Sequence, residues 1–356
     1  MKTGRSRRVP PSRWLDYRAG ELAADGVSLE SIAAAHGTPT WVYSARSLDE
    51  SYAAIDRAFG PQRRLIAYAV KANGALAILA RLGRQGGGAD IVSGGELARC
   101  LRAGIPPERI VFSGAGKRAD EIELAVESRI RALHVEVVDE IEILAAIARR
   151  RGLRFPIALR INPEVEGGAH KYIATGETDT KFGLDVRTVR RLLPRIAATP
   201  EIVLRGLACH VGSQLHRARP VGVAAERLAK LALELRASGF PIEDLDVGGG
   251  LPIDYGDTPQ TPDAPAQFAD AVDSGFRAAG LSRDDVTVLV EPGRAIVGEA
   301  GILLTRVLFV KEQPPVAKGT PPRRFVIVDA GMSELIRPAL YGARHAVMVV
   351  RQRPRF

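Results

Sequence analysis

Cysteine is nearly missing from this 356-residue chain: Cys100 and Cys209 are the only two, and each lies inside an apolar segment. Two such residues build neither a disulfide framework nor a thiolate zinc cluster, so the sequence argues against an oxidising compartment and against a metal role. Long hydrophobic runs are missing too. No stretch reaches the ~18 uncharged apolar residues of a membrane span, and no signal-peptide apolar region follows the start. Arg7-Arg8 is not a twin-arginine signal, because nothing apolar comes after it. The expectation is a cytoplasmic protein without a membrane partner. Acid is scarce at the two ends: MKTGRSRRVPPSR carries Lys2, Arg5, Arg7, Arg8 and Arg13, and RQRPRF carries Arg351, Arg353 and Arg355. Those tails hold most of the net charge of +9. The interior is nearly balanced and has no basic helix interleaved with aromatics, which reads as solvated tails and excludes a nucleic-acid footprint.

What is present suits one large domain and a smaller one: 46% of residues are hydrophobic and 26% charged. The stretch RLIAYAVKANG organises the rest. Its apolar run, rich in strand formers, predicts a strand buried on both faces, with Lys71 at its end. A lysine at the edge of a low-dielectric pocket has its ammonium pKa lowered by burial, which frees a nucleophilic amine able to form a Schiff base. The plain alternative is a strand-end lysine that snorkels to water.

From there strand-like runs recur at 65–70, 89–92, 110–113, 132–137, 156–161, 203–210, 244–247 and 286–290, with helical patterns between them. Eight such units predict a (β/α)8 barrel. An open doubly wound sheet would carry a phosphate fingerprint after its first strand, where this chain has Lys71-Ala-Asn. After the eighth unit, GILLTRVLFVKE and RRFVIVDAG read as two strands with no helix between them. They form a β-hairpin in a second, all-β domain, with a partner strand expected from the segment before residue 45.

Barrel enzymes place chemistry at the C-terminal ends of their strands. Here those ends carry Lys71, Asp90, Ser93-Gly94-Gly95-Glu96, Arg160, Cys209-His210-Val211-Gly212-Ser213, Gly248-Gly249-Gly250 and Glu291-Pro292-Gly293-Arg294, with Asp246 inside the seventh strand. The glycine triplet lets backbone amides approach an anion where barrels commonly hold phosphate, although tight turns use glycine as readily. Glu291 can keep a pyridinium nitrogen protonated while Arg294 forks onto a carboxylate; a structural ion pair is the alternative. His210 can lie flat on an aromatic ring, or be a satisfied core histidine. A lysine, a phosphate cradle, a flat partner and a carboxylate for a ring nitrogen together describe pyridoxal 5'-phosphate.

AYAVKAN, DIVSGGEL, RINPEV, HKYIATGETDTKFGL (170–184), HVGSQL, DVGGGLPIDYG, EPGRAIVGEAG and SELIRPALYGA, in order from about residue 20 to residue 342, closely resemble the diaminopimelate decarboxylases, in the alanine-racemase-like class of pyridoxal-phosphate barrels. The resemblance implies Lys71 as the Schiff-base lysine and His210 stacked on the ring. Asp90, Arg160, Ser213, Gly248, Gly249, Gly250, Glu291, Pro292, Gly293 and Arg294 would bind the cofactor, and Arg294, Arg337 and Tyr341 the substrate. It further implies decarboxylation of meso-2,6-diaminopimelate to L-lysine by a homodimer. Alternatives are a relative acting on ornithine, arginine or carboxynorspermidine, or a cofactor-binding remnant or regulatory partner. The expected layout is a basic disordered tail at 1–20, a segment at 21–44 serving the β domain, the barrel at 45–298 and a partial β domain at 299–356. After Gly342 the sequence departs from the family pattern, lacking its Cys-Glu-Ser-like motif and late tyrosine, and an unpaired edge is expected after Val350.

Overall fold

The computed structural model describes residues 14–165, 182–255, 263–315 and 320–352. Most of the HKYIATGETDTKFGL motif, the N-terminal basic end and the last four residues of the C-terminal one therefore lie outside the described residues. The chain forms two compact units. One holds the described residues up to Leu48, residues 254 and 255, and the chain from Gly298 onward; the other holds Asp49–Ile253 and the chain up to Val297.

In the first unit, β1 (Leu15–Arg18), β2 (Glu21–Ala24) and β3 (Val27–Ser28) form an antiparallel sheet. Ser28 then caps the helix Leu29–His36 by accepting a hydrogen bond from Ser31 N at 3.1 Å. Residues 14–20, expected in the disordered tail, are part of this sheet instead. The reason is apolar: Trp14 is 4% exposed, packs with Leu22, Ala24, Leu29 and Leu304, and donates its indole N–H to Glu299 O at 2.9 Å.

β4 (Thr40–Tyr43) leads into the second unit, whose strands are β5 (Arg64–Ala69), β6 (Gly88–Ile91), β7 (Ile110–Phe112), β8 (Ala132–Val135), β9 (Phe155–Arg160), β10 (Ile202–Ala208), β11 (Asp244–Asp246) and β12 (Thr287–Val290). They close into a barrel in which every neighbouring pair is parallel, β5 lying between β12 and β6. The (β/α)8 expectation holds, with helices such as Leu76–Arg84, Gly94–Arg102 and Arg219–Ala237 returning the chain between strands. The short apolar runs are buried on both faces because one face fills the barrel and the other meets the helices. Leu65, Ala67, Val111 and Leu289 form one such inner cluster.

GILLTRVLFVKE is not one strand. β13 (Gly301–Leu304) pairs antiparallel with β4, as expected of the N-terminal segment, and the chain breaks at Thr305-Arg306. Among the described residues, β14 (Val307–Gln313) then pairs only with β15 (Arg323–Val328). The edge expected after Val350 is paired. Leu22 N donates to Val350 O at 2.7 Å and Gln352 N to Gly20 O at 2.8 Å, while Met348 and Val350 pack on the Trp14 cluster.

The N-terminal mouth of the barrel is closed by one carboxylate. Asp244, 4% exposed at the start of β11, accepts from Arg131 Nη2 at 2.6 Å and Nε at 2.9 Å, and from Arg205 Nε at 2.8 Å. Arg205 lies in β10 at a register shift between Leu204 and Gly206. Asp244→Ala leaves two guanidinium groups facing each other and is expected to destabilise the barrel by roughly 3 kcal/mol. A lowered urea midpoint with unchanged cofactor content checks this, since the site described next is at the opposite end.

Candidate active site

Every strand of the barrel delivers a polar group to the C-terminal mouth. Lys71 follows β5 in a short 3-10 turn (Val70–Ala72), pinned from two sides. Ala69 N donates to Pro292 O at 3.1 Å, and a Cβ on Gly293 would stand 3.1 Å from the Cβ atoms of both Ala69 and Ala72. The loop after β12 is thus packed directly onto the lysine turn. Lys71 Nζ donates to Asp90 Oδ2 at 2.8 Å; its side chain is 54% exposed, whereas that of Asp90 is fully buried.

This pairing reverses the expected lysine chemistry. Burial works to lower the Lys71 ammonium pKa, but the carboxylates of Asp90 and Glu291 together outweigh it and hold the pKa above its usual value. Burial likewise pulls Asp90 upward, and the Lys71 charge and hydrogen bond bring it below the ordinary carboxylate range.

Arg160, at the end of β9, donates to Glu136 Oε1 at 2.7 Å and lies over the Phe182 ring at 5.1 Å. His210 follows β10 and is buried enough for its pKa to fall to about 3, aided by the nearby charges of Arg160 and Lys71. Gly249 N donates to His210 Nδ1 at 3.1 Å, so the ring is neutral with its proton on Nε2. Ser213 is half-buried in the same loop.

The glycine triplet meets tighter demands than an anion alone imposes. A Cβ would lie 2.6 Å from Cys209 O at Gly248, 2.2 Å from Glu291 O at Gly249 and 2.5 Å from Gly212 O at Gly250. Gly248 N donates to Asp246 Oδ1 at 2.8 Å, leaving the Gly250 amide as the one of the three without a partner among the described residues.

Glu291, after β12, is nearly buried, and burial together with Asp246 and Asp90 pushes its carboxyl well above the usual range. Asp246 is pushed up by burial as well. Arg294 opens a short helix, Arg294–Val297.

Arg337 and Tyr341 lie in the first unit, on a short helix (Arg337–Tyr341) that Pro338 begins. Arg337 Nη1 donates to Tyr255 Oη at 2.6 Å and its guanidinium lies 4.9 Å from the Tyr255 ring centre; Tyr341 is exposed. Both cysteines are inert: Cys100 and Cys209 are buried, and burial pushes the Cys100 thiol up to about 12.

Sequence reasoning passed over the ends of β7 and β8. Ser113, His134 and Glu136 are all buried there, His134 and Glu136 pointing the same way on alternate residues. That alternation of polar residues inside ALHVEV was the available signal. A second lysine was also missed: Lys117 is buried, with Nζ donating to His134 O at 2.7 Å and Glu140 Oε1 at 3.1 Å, and burial lowers its pKa.

The donor set fits a pyridoxal cofactor. Asp90 Oδ1 and Asp246 Oδ2 are buried without hydrogen-bond partners among the described residues, an amide at the glycine loop is open, and a lysine amine stands on the same mouth as a nearly buried glutamate whose proton affinity is raised by burial and neighbouring acids. Asp90→Asn removes the carboxylate charge that, with Glu291, raises the Lys71 pKa, leaving burial opposed by Glu291 alone and so lowering the pKa relative to the wild type. Amine labelling of Lys71 in the cofactor-free protein, followed by peptide mapping across pH, is therefore expected to begin at lower pH in Asp90→Asn than in the wild type.

Residues 45–298 match the family model for the pyridoxal-dependent decarboxylase, pyridoxal binding domain. Diaminopimelate decarboxylase of Aquifex aeolicus is 42% identical over 96% of this chain and 78% of its own. The diaminopimelate decarboxylase of Helicobacter pylori, solved in complex with L-lysine, is 37% identical with a TM-score of 0.81, covering 89% of this chain and 76% of that one. The diaminopimelate decarboxylase of m. jannaschii, also solved in complex with L-lysine, is 33% identical with a TM-score of 0.86, covering 95% of this chain and 78% of that one. With a lysine paired to a buried aspartate at the mouth of an eight-stranded barrel and relatives of this likeness along most of its length, the chain belongs to the diaminopimelate decarboxylase family of pyridoxal-dependent decarboxylases.

Proposed function

We propose that the C-terminal mouth of the barrel removes CO2 from meso-2,6-diaminopimelate to give L-lysine, with Lys71 carrying pyridoxal 5'-phosphate. The observation that carries this reading is the Lys71 to Asp90 contact of 2.8 Å on the same mouth as buried Glu291. When bound, the cofactor supplies an aldehyde that condenses with an amine and a ring that accepts the electron pair left by departing CO2. Lys71 would hold the aldehyde carbon, Glu291 the ring nitrogen, His210 the ring face, and Ser213 with the Gly248, Gly249 and Gly250 turn the phosphate, the Gly250 amide being the one of the three left to donate to it.

The chain's own residues divide the remaining work. Asp90 fixes the position of Nζ and balances its charge. His210 is neutral and its ring plane is set by the Gly249 amide, so it offers a flat surface without adding positive charge. Arg160 is held by Glu136, which keeps its guanidinium beside the site. Arg294, Arg337 and Tyr341 are the proposed substrate contacts, an arginine for the distal carboxylate being what separates diaminopimelate from lysine or ornithine. The protein is proposed to act in the cytoplasm as a homodimer; among the described residues no helix is long and apolar enough to cross a membrane.

CO2 release measured across diaminopimelate, lysine, ornithine and arginine tests the substrate, and release from lysine or ornithine alone would overturn it. Lys71→Ala is expected to lose the borohydride-fixable cofactor. Glu291→Gln is expected to keep the cofactor while slowing CO2 release by about a hundredfold, because one charge interaction at the ring is worth a few kcal/mol. Arg337→Ala is expected to raise KM for diaminopimelate far more than it changes any activity on lysine; equal losses on both would place Arg337 at the end that the two substrates share.

A further inference from the structure

Four buried side chains from non-adjacent parts of the sequence meet inside the barrel mouth, and the reading above uses only one of them. Ser113 follows β7, His134 lies in β8, Asp246 ends β11 and Glu291 follows β12. One side-chain atom each of His134, Asp246 and Glu291 lies within 4.8 Å of the others. Ser113 Oγ donates to Glu291 Oε1 at 3.4 Å and is 3.1 Å from His134 Nδ1. His134 Nδ1 is 3.9 Å from Glu291 Oε1, and its Nε2 is 3.9 Å from Asp246 Oδ2.

A serine hydroxyl has one proton. If that proton goes to Glu291, Ser113 accepts in its contact with His134, which puts the imidazole proton on Nδ1. The unprotonated Nε2 then faces Asp246 Oδ2, a buried atom with no hydrogen-bond partner, while Asp246 Oδ1 is tied to Gly248 N. Burial drives the His134 pKa down to about 3, so the ring stays neutral and can donate at one nitrogen and accept at the other. His134 stands between Leu133 and Val135 in a fully buried strand, where an apolar side chain would carry no desolvation cost. A polar pair kept at that cost, and aimed at the carboxylate used by the reaction, is there to orient it.

We propose that His134 and Ser113 are positioning residues for Glu291: a hydrogen-bonded chain from His134 Nδ1 through Ser113 Oγ fixes the carboxylate that partners the cofactor's ring nitrogen. The proposal rests on the reading that Glu291 faces that nitrogen. The 3.4 Å step from Ser113 is the one that shortens as the carboxylate takes up its charge.

The test uses holoenzyme loaded with pyridoxal phosphate labelled with 15N in the ring. The ring-nitrogen chemical shift reports directly on its protonation. In the wild type it is expected in the protonated range. Ser113→Ala and His134→Leu are expected to move it toward the unprotonated range and to lower kcat on the order of tenfold, with KM for diaminopimelate little changed. His134→Asn keeps an N–H donor near the Nδ1 position and is expected to return the shift toward the wild-type value. Ser113→Ala removes a single oxygen and carries the test should His134→Leu not fold. If Glu291→Gln moves the shift while Ser113→Ala and His134→Leu leave it at the wild-type value, the positioning chain is refuted and the role of Glu291 stands. If Glu291→Gln leaves it unmoved as well, the ring-nitrogen reading fails and the positioning chain fails with it.

Discussion

A carboxylate buried in a barrel mouth must be given either a cation or a proton, and this constraint orders the C-terminal end of the molecule. Asp90 and Glu136 receive cations, Lys71 and Arg160, at 2.8 and 2.7 Å. Glu140 receives Lys117. The first two pairs join the ends of consecutive strands and the third joins the loop after β7 to the helix after β8, so the barrel's closure is what makes the pairs, and loss of one partner would leave an uncompensated charge in a low-dielectric site. Lys71 is therefore less an isolated nucleophile than one half of a pair whose other half is the last residue but one of the neighbouring strand.

The opposite mouth solves a different problem with similar groups. Arg131, just before β8, and Arg205, in β10, are both tied to Asp244 at the start of β11. At the C-terminal mouth, by contrast, the loops after β10, β11 and β12 pack backbone on backbone: the Gly248, Gly249 and Gly250 positions leave no room for a Cβ. Rigidity at that end comes from glycines that let loops touch.

The barrel was legible because its signal is periodic and redundant. Eight apolar runs separated by amphipathic helices survive errors of one or two residues at each end. The strand-end loops were legible because a lysine, a histidine or a glycine triplet is conspicuous after an apolar run. Ser113, His134 and Glu136 were not, since a polar residue inside a short strand looks like a break in hydrophobicity until closure shows which face it takes. The net shift of the Lys71 pKa was illegible for a related reason: its sign depends on Asp90, 19 residues on, and on a contact made by strand pairing. In the first unit, Trp14, Leu15 and Tyr17 were masked by the basic composition around them, and pairing of Val350 with Leu22 joins segments too distant in sequence for local pattern to reveal.

With Asp90 and Glu136 matched to cations, Asp246 and Glu291 are left facing one another, and burial plus mutual repulsion pushes both upward. That is an asset at a site whose task is to keep a ring nitrogen protonated. A carboxylate with a raised proton affinity is a stronger hydrogen-bond acceptor for a pyridinium N–H, and a cation beside it restores its ionised form. The two acids without cations of their own thus define where a positive charge is favoured in the mouth. Because Lys71 and Arg160 already flank Asp90 and Glu136, the place left for that charge is beside Glu291, where the neutral His134 and Ser113 can steer the carboxylate without competing for it.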